Sequence, residues 1–103
     1  MLSLQENDFQ KEVLESKGLV LVDFWAEWCS PCRQLGPILE AVSQTMPDVK
    51  FCKVNVDEAP STAASFGIRS IPSMFLFKDG KQIDTKVGFS SQESITSWLN
   101  NHK

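Results

Sequence analysis

Two cysteines separated by two residues, Cys29-Ser30-Pro31-Cys32, lie where an apolar strand pattern gives way to a helical one. Upstream, Leu19-Val20-Leu21-Val22-Asp23-Phe24-Trp25 is almost continuously apolar, the pattern of a strand buried on both faces of a parallel sheet. Downstream, Leu35, Leu39, Val42 and Met46 recur at helical spacing and make an apolar stripe,. Proline suits the first position of a helix and serine can cap one. Pro31 also biases Ser30 away from helical dihedrals. The pattern therefore predicts Cys29 just outside the helix and Cys32 within its first turn. With 103 residues, the chain reads as one domain over 1–103 that can bury a core without staples.

In chain order, Leu2 to Leu4 could form a short edge strand. Asn7, with Gln10 three residues on, predicts the capped start of a helix that ends at Gly18 and carries Phe9, Val13 and Leu14 on one face,. Pro37 inside the second helix predicts a kink, and Pro47-Asp48 ends it,. Lys50 to Val56 alternates as a strand,. A short helical segment over 58–66 follows, then a strand over 73–77 and the hairpin signal Asp79-Gly80,. Ile83, Thr85 and Val87 alternate along the returning strand, and Ser90 with Glu93 predicts the capping box of a last helix lined by Ile95, Trp98 and Leu99,. The order β-α-β-α-β-α-β-β-α gives an α/β domain: a central mixed five-stranded sheet with helices on both faces.

Orphan N–H groups and the dipole at a helix start favour a thiolate, so Cys29 is the candidate nucleophile and Cys32 the more buried resolving thiol. The amide of Cys32 is the expected donor to the Cys29 sulfur, and Arg33 is a nearby cation. Zinc needs about four ligands, and only Cys52 and His102 remain to supply them. A purely structural disulfide closing so small a loop would restrain little of the unfolded chain. Cys52 reads as a small buried hydrophobe and His102 as a solvated terminal residue. Asp23, set among apolar residues, should have a raised pKa and could take the proton Cys32 loses.

Together Asp23, Trp28-Cys29, Pro31-Cys32, Pro37, Lys53, Asp57, Ile71-Pro72, Gly80 and Gly88 resemble the thioredoxin family along essentially the whole chain. The resemblance implies the thioredoxin fold and reduction of protein disulfides. It makes Lys53 the charge partner of Asp23 and Pro72 a cis proline facing the dithiol. It implies that an extended substrate segment pairs with the backbone at Ile71 on a patch of Trp28, Pro31, Ile71, Pro72 and Gly88. It also implies no bound cofactor, with electrons drawn from NADPH through a thioredoxin reductase, and disulfide-containing proteins as substrates. The family mostly has glycine where this chain has Ser30. Its hydroxyl is expected to stabilise the Cys29 thiolate or cap the helix, tuning the redox poise. Phe89, beside Gly88, would widen the docking patch.

A net charge of −3 leaves no basic footprint for nucleic acid or anionic lipid,. The N-terminus lacks a basic, then apolar, leader pattern, and no apolar run is long enough to span a bilayer. A cytoplasmic monomer is expected. Two alternatives stay open: an oxidase or isomerase with a more oxidising couple, and a binding subunit whose thiols are incidental.

Overall fold

Side-chain alternation along the central apolar strand assigns the two faces of the sheet in the computed structural model, which describes residues 1–103. The strands are β1 (Leu2–Ser3), β2 (Leu19–Trp25), β3 (Val49–Asn55), β4 (Ser73–Lys78) and β5 (Lys81–Val87); the α-helices are α1 (Ser30–Thr45), α2 (Pro60–Ser65) and α3 (Gln92–His102). The sheet order is β1-β3-β2-β4-β5, with β3 parallel to β1 and β2, and β4 antiparallel to β2 and β5. The mixed five-stranded sheet expected from the pattern is the one observed.

From β2, Leu19 and Leu21 enter a core with Leu35, Leu39 and Val42 of α1 and Ile95 and Leu99 of α3. Val20, Val22 and Phe24 enter a second core with Phe9, Val13, Cys52, Val54, Phe75 and Phe77. Asp23 follows Leu21 in the alternation, so it points to the α1 side. A one-residue slip would move it to the other face. In the second core, Phe24 packs edge-on against Phe75 with centroids 5.2 Å apart, and Phe66 packs edge-on against Phe77 at 5.8 Å, geometries that aromatic quadrupoles favour.

Several local expectations are corrected. The first helix is a five-residue π-type turn, Gln10–Leu14. Asn7 does not cap it: a tight turn brings the Asp8 carboxylate back to the Gln5 N–H at 2.9 Å, and the helical path starts at Phe9, which has no capping oxygen. Gly18 lies beyond this turn and leads into β2. The N-cap of α3 is Ser91, not Ser90, with the Ser94 N–H donating to its Oγ at 3.1 Å. Pro37, where a kink is expected, lies inside α1, whose helical span continues past it to Thr45.

The hairpin is as the Asp79-Gly80 signal predicts, with positive φ at both residues (51° and 83°), the combination of a type I′ turn. Gly80 also has no room for a side chain, since a Cβ would collide with the Leu14 carbonyl. Along β5 the alternation is real, but Ile83, Thr85 and Val87 face outward while Asp84 and Lys86 are half-buried. Trp98, itself only half-buried, donates its indole N–H to Asp84 Oδ2 at 2.7 Å. His102 is not free in solvent: its Nε2 lies 2.8 Å from the same oxygen.

Phe24→Ala should cost about 3–5 kcal/mol of stability through the cavity it leaves. Urea unfolding should show the midpoint fall, while the reduced protein retains the reactivity of its active-site thiols.

Candidate active site

The end of β2 and the start of α1 are joined by only four residues, 26–29, and Asp23 of the strand lines the same cavity as Cys32 of the helix. Cys29 has an extended backbone (φ −91°, ψ 107°) and occupies the N-cap itself; its sulfur accepts the Cys32 N–H at 3.3 Å. Ser30, expected as a possible cap, is instead the first helical residue, exposed to solvent. Pro31 has no N–H, so the first free side-chain-directed amide is that of Cys32.

Cys29 and Cys32 form a disulfide. In this oxidised form exposure does not separate them as expected, since Cys29 is 5% and Cys32 3% exposed. Their surroundings do. Cys29 Sγ lies 3.7 Å from the Ile71 carbonyl oxygen, at the surface loop that carries the cis peptide bond Ile71-Pro72. Cys32 instead lines an open cavity of about 590 Å³ on the far side, shared with Asp23, Lys53, Gly36 and Glu40. Sequence reading missed this cavity. Its signal was the i, i+4 spacing of Cys32, Gly36 and Glu40, which places them on one helix face.

Asp23 is 2% exposed and its Oδ1 has no hydrogen-bond partner. Burial pushes its carboxyl up to about 7 from the ordinary 3.8, while the positive charge of Lys53 pulls the other way. Lys53 is opposite Asp23 in the β2–β3 register, yet the two form no ion pair. The Lys53 ammonium sits over the Trp25 ring, 5.1 Å from its centroid. It therefore acts on Asp23 through space rather than by contact. Cys52 is fully buried on the opposite face, and burial raises its thiol to about 11, which keeps it protonated and inert.

Cys29 packs with Ala26 and Cys32 against Trp25, Val56 and Ile71. Trp28 is 69% exposed, and its indole N–H donates to Asp57 Oδ2 at 2.8 Å. Val87 (62%) and Phe89 (50%) are also exposed, and Ile71 is half-buried. Gly88, between the two, has φ +92° and donates its N–H to the Pro72 carbonyl at 2.8 Å. Glycine is needed there for its backbone conformation, since a Cβ would meet nothing within 4 Å,. Of the residues expected in the docking patch, Ile71 lies against Cys29, Trp28 and Pro31 flank the dithiol in sequence, and Gly88 is tied to Pro72. No cluster of three or more His, Cys, Asp or Glu could hold a metal ion. No helix is long and apolar enough to cross a membrane.

A dithiol–disulfide pair at a helix start, backed by a buried carboxylate on a mixed α/β sheet, defines a thiol–disulfide oxidoreductase. The thioredoxin family model matches residues 1–101. A thioredoxin of Rickettsia bellii is 50% identical over 101 residues, covering 97% of this chain and 96% of its own. Thioredoxin 1 of Synechococcus elongatus is 50% identical over 95 residues (91% and 89%), and a thioredoxin of Chlamydia muridarum is 44% identical over 88 (85% and 86%). The chain belongs to the thioredoxin family.

The buried carboxylate gives a signed pH dependence. The folded-state value lies above the unfolded one, so the unfolded chain ionises first and stability is lost as pH rises from about 4 through about 7,. The gap between 3.8 and about 7 corresponds to about 4 kcal/mol above pH 7,. Asp23→Asn should therefore be more stable than the unaltered chain at pH 8 and lose that advantage near pH 4. Urea midpoints across this range would check it, and parallel profiles for the two proteins would contradict it.

Proposed function

We propose that this protein reduces disulfides in other proteins, with Cys29 as the attacking thiolate. The observation that carries this reading is the Cys32 N–H aimed at the Cys29 sulfur at the start of α1, because a helix N-terminus stabilises the thiolate over the thiol. The substrate backbone pairs with the exposed Ile71 segment, and its side chains rest on Trp28, Pro31, Pro72 and Gly88. Cys29 attacks one substrate sulfur; the substrate S–S bond breaks and its other sulfur leaves as a thiolate, which takes a proton from water. Cys32 then gives its proton to the Asp23 carboxylate and attacks Cys29 Sγ. The second substrate thiolate leaves, and two electrons have passed from the dithiol to the substrate.

Asp23 suits the transfer because a carboxyl titrating at about 7 is present in both forms near neutral pH. Lys53 keeps enough of it ionised. The Ser30 hydroxyl tunes the couple by donating to the Cys29 thiolate, which stabilises the reduced form. The dithiol is restored by a thioredoxin reductase drawing on NADPH, with no cofactor held by this chain. Such a cycle belongs in a reducing compartment, here the cytoplasm, with the protein acting as a monomer.

Removing the resolving thiol tests the order of events. Cys32→Ser should accumulate a mixed disulfide through Cys29 when mixed with a protein disulfide, seen as a stable adduct by mass spectrometry. Cys29→Ser should form none and lose turnover by at least about a thousandfold, as loss of a nucleophile does. An adduct formed equally well by Cys29→Ser would reverse the assignment.

A further inference from the structure

We infer that Arg33 is a positioning residue that staples the Trp28 turn to the first turn of α1. This rests on the reading above that Trp28 docks the substrate. The sequence marks Arg33 only as a cation near the dithiol. The structure directs its guanidinium elsewhere: Nη1 donates to the Glu27 carbonyl at 2.6 Å. That carbonyl belongs to the peptide unit whose N–H is Trp28's, so the bond fixes the plane from which the indole projects. The Glu27 carbonyl receives no other hydrogen bond from the chain.

The charge argument agrees. A cation in the first turn of a helix opposes the dipole, and the first turn of α1 has no acidic residue to offset it. As an isolated charge Arg33 would be a local liability; as a donor it holds a turn that otherwise has one backbone bond, from Cys29 N–H to the Ala26 carbonyl at 3.2 Å. Trp28 is then fixed at two points. Arg33 orients its backbone, and Asp57 accepts its indole N–H at 2.8 Å. An aromatic ring 69% exposed has little packing to hold it, so these two bonds set its orientation before substrate arrives.

Arg33→Met, which retains the apolar stem without the donor, separates the staple from a charge effect. It should raise KM for a protein disulfide such as insulin by about fivefold, the worth of one hydrogen bond, with kcat unchanged. The Trp28 indole N–H should exchange faster with solvent. Arg33→Lys, which retains one donor, should recover part of both. Alkylation of Cys29 by iodoacetamide should stay within about twofold of the unaltered protein, since the thiolate is held by the backbone. Unchanged KM and indole exchange in Arg33→Met would overturn the inference, and so would a tenfold slower alkylation, which would make Arg33 an activating charge. Failure of the function itself would look different: the unaltered chain would then reduce no protein disulfide at all.

Discussion

One backbone amide pointing at one sulfur sets the terms for the rest of this molecule. The Cys32 N–H reaches Cys29 Sγ because Pro31 fills the second helical position without a donor of its own and Cys29 stays extended at the N-cap. That geometry in turn needs α1 to begin a few residues after β2 ends. Sixteen helical residues, Ser30–Thr45, press Leu35, Leu39 and Val42 onto the sheet and hold the N-terminus in place. Packing energy far from the sulfurs is thus what makes their chemistry reproducible.

The same anchoring creates a cost. Bringing α1 down over β2 buries Asp23, leaves Oδ1 unpartnered and withholds a direct ion pair with Lys53. A fold selected only for stability would place an apolar residue there, as Leu21 and Leu19 are placed two and four residues earlier. A carboxylate that lines the same cavity as Cys32 gives up stability at neutral pH, and the proposed cycle uses it as the acceptor of the Cys32 proton. The surface shows a related compromise: Trp28, next to Cys29 in the chain, and Val87 and Phe89, on either side of Gly88, remain exposed, apolar residues of the kind a transient partner covers.

Much of this was legible in the residues because the signals are short-range. Near-continuous apolarity marked β2 as central; Asp79-Gly80 marked the hairpin; proline between the cysteines placed one outside the helix and one inside. The misreadings share a different cause, contacts that sequence spacing does not encode. His102, read as a solvated terminal residue, instead meets the Asp84 carboxylate that Trp98 also bonds. The first helix became a π-type turn because the Gln5–Asp8 turn claims the residues that would have capped it. Adjacent serines at 90 and 91 offer equal capping chemistry, and only backbone geometry chooses Ser91. The cavity draws on Met1, β2, α1 and β3 together, so no single stretch announces it, and Arg33 revealed its target only once the turn had closed.

The central claim is that the backbone at the start of α1 makes Cys29 the more anionic of the two sulfurs. Its most direct measurement is the rate at which iodoacetamide modifies each thiol of the reduced protein at pH 6.5, resolved by mass spectrometry. Cys29 should be modified at least about tenfold faster than Cys32; equal, slow modification of both would contradict the account.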